Sequence, residues 1–314
     1  MLWALTFHDG CARPITDLSA ASQGAWTWAH FPLGDVRAQG FLSRIVDLPE
    51  AFSELLATRD DKIQIRGDGA WTFGVLPDLE RDLSGKPIGP GRLFFAFDDQ
   101  RLITARLHAL RVIDDVRRQA NQGLRLVAPA DAVVALVEHY TELLEQRIET
   151  LTSRLDAVED LVLSEPDDLD GRRLGPFRRE LARHRREFQS LRSALVRGRA
   201  REPRLAPLLA DQLAPLIGPV EDLDHDAAGL QERARLLHEE IDTLINSATN
   251  RSMRALTVIS TLLIPPTLVV GAFGMNVEGI PFGHSHAGFV LASVVCLITV
   301  GGALMLLRRL RMLP

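Results

Sequence analysis

The chain has 314 residues, 25% of them charged and 46% hydrophobic, with a formal net charge of -5. That length holds one or two soluble domains plus a membrane anchor, and the acidic balance gives no electrostatic reason to expect nucleic acid as a partner. Only two cysteines occur, Cys11 and Cys296, too far apart in character and position for a disulfide framework, so the soluble part fits a reducing compartment.

The averages conceal a division. Up to about residue 254 the chain is charged and periodic, and almost everything after it is apolar. Basic residues are nearly all Arg, Lys62 and Lys86 being the lysines. Met1–Phe7 lacks the basic start and long apolar core of a signal peptide.

The first 128 residues read as an α/β module of the cytosol. Leu2–Phe7, Lys62–Arg66, Ala70–Leu76, Leu93–Phe97 and Leu102–Leu107 have strand-like content punctuated by Gly, Asp and Pro. Asp98–Gln100 reads as a hairpin turn, and Pro49–Thr58 and Ala109–Asn121 as helices. A helical hairpin follows over 129–203. Its first helix starts at Asp131 as N-cap and runs to about Ser164, and its second covers Arg172 to about Arg201. The acidic tip between them reads first as a solvated hairpin end and second as a loose cation attractor.

The region 204–255 reads as a stalk. Pro203, Pro207, Pro215 and Pro219 predict a helix that starts near Val220, then runs without a proline to Pro265. About 45 residues at about 1.5 Å each give ~68 Å of helix, which needs partners. Leu230, Ala234, Leu237, Ile241 and Leu244 form an apolar packing stripe at helical spacing.

Two uncharged runs follow, 256–275 and 287–307, each able to span a hydrocarbon core of about 30 Å. Arg251 and Arg254 precede the first, Arg308, Arg309 and Arg311 occupy the tail 308–314, and the loop 276–286 has no Lys or Arg. The positive-inside rule then places both termini and the bulk of the chain in the cytoplasm. Pro265–Pro266 kinks the first span.

A second stripe runs down the stalk and the first span. Asn246, Asn250, Met253, Thr257, Ser260, Ile264, Thr267, Gly271 and Gly274 recur every 3.5 residues. Within a membrane this line is small and polar. It suits close helix packing or the wall of a wet pore. Its cytosolic extension, Thr243, Glu239, Leu236, Glu232, Gly229, His225 and Asp222, makes a lumen attractive to cations. Two spans cannot enclose a pore, so a homo-oligomer with rotational symmetry follows.

The first span ends in Gly274–Met275–Asn276, continued by Val277–Glu278–Gly279–Ile280–Pro281. With this signature at the outer end of the penultimate span, close to the C-terminus, the chain resembles the CorA-like family of divalent metal transporters over its whole length. The resemblance implies an α+β cytosolic domain, with an α/β/α-type sheet layer and long antiparallel helices. It also implies a long stalk helix and two C-terminal transmembrane helices in a funnel-shaped homopentamer of the inner (plasma) membrane. Gly274, Met275 and Asn276 would form the selectivity filter, with Thr267, Ile264, Ser260, Leu256 and Met253 along the pore. Met253 and Leu256 could gate by dewetting. The Gly-Met-Asn-Val-x-Gly-Ile-Pro continuation looks like the ZntB zinc-transporter branch, which implies transported Zn²⁺ and proton-coupled uptake. Glu278 matches a position often acidic in the magnesium branch, so Mg²⁺, Co²⁺ or Ni²⁺ is the alternative cargo. Neither span holds an Asp or Glu to mark a proton relay.

A ring of Asn276 amide oxygens could hydrogen-bond the hydration shell of the ion without stripping it, and Glu278 would add negative charge outside the mouth. His284 and His286 on the loop, and His225, Glu232 and Glu239 in the stalk, are the candidate metal ligands. No cofactor is expected beyond the transported ion. An enzyme is not expected either: Gly85–Lys86 is followed by Pro87 and lacks a P-loop glycine upstream, and neither a nucleophile elbow nor a zinc-protease motif occurs. The competing class is a membrane-anchored sensor or scaffold whose spans only tether.

Overall fold

The computed structural model describes residues 2–16, 25–42, 48–82, 87–164, 174–201, 207–275 and 286–310. Two compact units divide the chain. The first comprises Met1–Val158 and Arg172–Arg235, the second Glu159–Gly171 and Leu236–Pro314.

The first unit is built on a seven-stranded sheet: β1 (Trp3–His8), β2 (Cys11–Ile15), β3 (Trp26–Pro32), β4 (Gln64–Asp68), β5 (Trp71–Arg81), β6 (Pro87–Phe97) and β7 (Arg101–Arg106). Their spatial order is β2-β1-β3-β7-β6-β5-β4. Every neighbour is antiparallel except β3 and β7, which run parallel. The sequence reading placed five of these strands and missed β2 and β3. Asp9 and Gly10, both at positive φ, make the two-residue turn that returns β1 into β2, as an Asp-Gly pair does in a hairpin. Asp98 closes the β6–β7 turn, its Oδ1 accepting the N–H of Gln100 at 2.9 Å and of Arg101 at 2.7 Å.

Two helices, α1 (Val36–Leu42) and α2 (Glu50–Thr58), cover one face. Phe52 and Leu55 of α2 pack there with Phe31, Trp71, Phe73, Val75 and Phe94. Side chains alternate along a strand, so Gly74 and Ile65 face the other way, where α5 (Leu174–Arg201) brings Gly198 against Ile65. The sheet is therefore the middle of three layers, as an α/β/α arrangement requires. α3 (Val112–Asn121) is fixed to β5 by Asp78, a fully buried carboxylate. Its Oδ1 accepts N–H groups of Leu79 (2.6 Å), Arg111 (3.1 Å) and Val112 (2.8 Å), and its Oδ2 that of Ile113 (3.1 Å).

The long helices depart from the sequence reading at their starts. α4 (Pro129–Ser164) begins two residues before Asp131. Proline suits a first helical turn because its missing N–H would be unpaired anyway. Asp131 Oδ2 then accepts the N–H groups of Val127 and Ala128, each at 2.9 Å. α6 runs Pro207–Phe273, so Pro215 and Pro219 lie inside it rather than before it. Each interior proline costs about 3 kcal/mol. Leu213, Leu216, Val220 and Leu223 are all buried on this segment, and at about 2 kcal/mol each that burial offsets both prolines. Further along the same helix Leu230 and Ala234 are buried. Arg92 ties β6 to α5 through two bonds to Glu187, at 2.8 and 2.9 Å.

The second unit contains the rest of α6 and α7 (His286–Arg309). Both carry apolar stretches long enough to cross a membrane, and none of the apolar window of α6 is buried. A core helix of a soluble protein would hide that surface. Here Ile259, Leu263, Leu268 and Val270 of α6, with Phe289, Leu297, Ile298 and Met305 of α7, stand exposed, as lipid-facing side chains do. α6 remains helical through Pro265–Pro266.

Candidate functional site: one face of the membrane helix α6

Contacts within the second unit divide α6 into two sides. Val258, Thr261, Leu262, Pro265, Pro266, Val269 and Phe273 are partly covered. Cys296 of α7 places its Sγ 3.9 Å from the Pro266 carbonyl oxygen, which identifies this as the side facing α7. Met253, Leu256, Thr257, Ile264, Thr267 and Gly271 are exposed. At about 100° per residue the mean direction of this set lies roughly 180° from the α7-facing set. Ser260 belongs to the same line by position and is half-buried. The helix thus has a mostly apolar side occupied by its own hairpin partner and an opposite side that α7 leaves open, where Thr257, Thr267 and Gly271 stand between Met253, Leu256 and Ile264.

The hydroxyls on the open side have a fixed polarity. Thr257 Oγ1 donates to the Met253 carbonyl at 2.8 Å, and Thr267 Oγ1 to the Leu263 carbonyl at 2.7 Å. With its proton committed to the helix, each oxygen offers only lone pairs outward. Such a wall accepts hydrogen bonds from water around a cation.

The C-terminal end of α6 adds a second electrostatic element. Its last turn carries no basic residue, so the partial negative charge of a helix C-terminus, about half an elementary charge, is uncompensated there. Gly274 N–H caps the Val270 carbonyl at 2.9 Å and Met275 N–H approaches the Ala272 carbonyl at 3.4 Å. A Cβ on Gly274 would sit 3.2 Å from the Val270 oxygen, closer than ordinary packing, so the signature glycine has a local steric reason. At the other membrane end, Arg308 and Arg309 occupy the last turn of α7, where the dipole favours cations.

Asn276, Glu278 and His284 lie outside the described residues. His286 begins α7 instead of belonging to the loop. N-terminal to the apolar stretch of α6, Asn246, Asn250, His225, Glu232 and Glu239 are all exposed. His225 and Glu232 stand seven residues apart, about 10 Å of helical rise, so one chain cannot offer them to a single ion. Both Glu232 oxygens are engaged by Arg235, at 3.0 and 2.7 Å, and that guanidinium holds the carboxyl below the usual range. A metal at Glu232 would have to displace Arg235. Among the described residues, no group of three or more His, Cys, Asp or Glu side chains is placed to hold a metal ion.

Comparison with known proteins gives the family of the chain. A family model described as CorA-like Mg2+ transporter protein matches residues 23–309. The divalent cation transporter CmaX of Pseudomonas aeruginosa is 28% identical over 300 residues, covering 91% of this chain and 87% of its own. The zinc transport protein ZntB of Pectobacterium atrosepticum is 23% identical over 312 residues, covering 96% and 92%. Among solved structures, full-length CmaX superposes with a TM-score of 0.85 at 24% identity, covering 99% of this chain and 97% of that one. The CorA magnesium transporter of Methanocaldococcus jannaschii superposes with a TM-score of 0.75 at 17% identity, covering 98% of each.

Proposed function

The chain belongs to the CorA-like Mg2+ transporter family and is a divalent cation transporter, and from that premise we propose that its cargo is Zn²⁺. In this reading Zn²⁺ crosses the inner (plasma) membrane of a bacterium through a pore enclosed by a funnel-shaped homopentamer. One observation carries the pore: the side of α6 opposite α7 is left open and carries the outward-facing hydroxyl oxygens of Thr257 and Thr267 between apolar side chains. A single hairpin cannot close around that side, so copies of the chain must. Met253, Thr257, Ser260, Ile264, Thr267 and Gly271 then line the channel, with Leu256 beside Met253 at its narrowing. Gly274, Met275 and Asn276 form the mouth and filter. Arg251, Arg254, Arg308 and Arg309 keep the helix ends and the sheet domain in the cytoplasm.

The cargo rests on the Gly-Met-Asn-Val-Glu-Gly-Ile-Pro continuation and on relatives named as zinc transport proteins. The pore line carries neither Cys nor His, so zinc passes hydrated, held through its water by amide and hydroxyl oxygens that bind weakly enough to release it. Uptake into proteoliposomes loaded with a metal-sensing dye tests this with Zn²⁺, Mg²⁺, Co²⁺ and Ni²⁺ at equal concentration, with and without a pH gradient. Zinc is expected to enter fastest, and faster still when protons can accompany it. Mg²⁺ or Co²⁺ entering faster than Zn²⁺ would move the chain to the magnesium/cobalt branch. No metal entering at all would leave a tethered sensor or scaffold.

A further inference from the structure

The first unit holds a cavity of about 480 Å³ between the β5–β6 end of the sheet and the facing sides of α4 and α5. That volume lies in the range of small-molecule sites and is larger than a lone inorganic ion fills. The lining is divided in character. Leu79, Leu143 and Leu144 give it an apolar wall, and Arg111, Arg147, Arg179 and Arg183 give it four guanidinium groups.

The carboxylates of the lining are already neutralised. Glu180 is paired with Arg147 and, at 3.2 Å, with Arg154. Glu187 is held by both terminal nitrogens of Arg92, which stands outside the lining. Arg111 lies 3.5 Å from Asp115. Arg179 and Arg183 differ from these: among the described residues neither forms an ion pair. They are four residues apart on α5 and so share one face of it.

A second observation points the same way. Tyr140 lines this cavity, and its hydroxyl, bonded by no protein group among the described residues and not one of the fully buried unpartnered atoms, opens onto the cavity. A hydroxyl that opens onto a cavity bonds water or a molecule that displaces that water. Burial holds His184, on the same wall, below its usual range, so it adds no further positive charge at neutral pH.

We propose that this cavity binds a phosphorylated small molecule with a planar apolar part, of the nucleoside monophosphate class. Two unpaired guanidinium forks match the charge and geometry of a phosphate dianion, the leucine wall takes the planar base, and the Tyr140 hydroxyl supplies a hydrogen bond to the bound molecule. The site lies wholly in the sheet domain, and the inference does not depend on which metal the chain carries or whether it carries one.

Isothermal titration calorimetry on the full-length protein in detergent tests it with AMP, adenosine and inorganic phosphate. AMP is expected to give a saturable heat, with adenosine and phosphate each binding at least about tenfold more weakly. The double variant Arg179→Gln/Arg183→Gln is expected to lose roughly tenfold or more in AMP affinity. Tyr140→Phe should lose several-fold. Arg186→Gln, an α5 arginine outside this lining, should bind AMP as the unaltered protein does. A tryptophan-fluorescence melt of the double variant matching the unaltered protein shows that the domain is intact. Equal AMP affinity in the double variant and the unaltered protein, phosphate binding as tightly as AMP, or no AMP binding up to about 5 mM would each overturn the proposal. No metal flux enters this measurement, so its failure leaves the transport reading standing, and the reverse holds too.

Discussion

Proteoliposomes carrying Asn276→Ala are expected to take up divalent metal at least about tenfold more slowly than those carrying the unaltered protein. The expectation follows from the chemistry of a hydrated dication at a mouth built of neutral acceptors. In the proposed pore each copy of the chain would offer one Asn276 amide oxygen to the water around the ion, three residues after the end of α6, whose last turn carries no basic residue. An alanine ring offers methyl groups. A hydrogen bond contributes about 1 kcal/mol net, and with several copies each losing one, the deficit passes the 1.4 kcal/mol that corresponds to a factor of ten. Glu278→Gln should act differently. A charge outside the mouth raises local cation concentration over about a Debye length, so its removal should slow uptake only a few-fold, and mainly at low salt. Dye-monitored flux with all three proteins at matched density, and oligomeric state checked by light scattering, separates these outcomes. Equal flux for Asn276→Ala and the unaltered protein would sink the filter.

Asp78→Ala should produce the largest loss of stability in the sheet domain. The carboxylate is fully buried and receives four backbone N–H groups, one from β5 and three from the start of α3 and the residue before it. Alanine leaves these donors without an acceptor. Buried unpaired donors cost about 1–3 kcal/mol each before relaxation, and with partial rehydration a net loss of roughly 2–4 kcal/mol is expected. For a domain of this size that lowers the melting temperature by about 5–15 °C. Asp78→Asn should cost less, because an amide oxygen at the Oδ1 position keeps three of the four donors and only Ile113 meets the amide nitrogen. The tryptophans, Trp3, Trp26, Trp28 and Trp71, all lie in the sheet, so intrinsic fluorescence reports this domain without interference from the membrane helices. An Asp78→Ala melt coincident with that of the unaltered protein would show that water reaches these N–H groups.

Much of the architecture can be read along the chain, and its gaps have identifiable causes. β3 is not announced by a clean pattern: Thr27 and His30 interrupt an apolar run, yet all six residues Trp26–Phe31 are buried. A strand covered on both faces buries even its polar residues, so outward polar positions do not mark it. Its position is sealed by side-chain bonds the sequence cannot announce, Trp28 Nε1–H donating to Thr104 Oγ1 at 2.9 Å and Trp26 Nε1–H to the Leu126 carbonyl at 3.0 Å. β2 had a local signal, the Asp9–Gly10 turn. Its own residues are half-exposed to exposed and include Arg13 and Pro14, which speak weakly for a strand. The early start of α6 needed knowledge of what Leu213, Leu216, Val220 and Leu223 pack against, since burial there outweighs the prolines.

Local chemistry determined the two membrane helices, the signature at the end of the first, the apolar stripe of the stalk and the polar line on α6, because each depends on residue type and helical period alone. Tertiary structure decided which side of α6 α7 occupies. It also joined residues more than one hundred positions apart, such as Leu79 and His184, around one cavity in the sheet domain. Period fixes which residues share a face, but only packing fixes what that face meets.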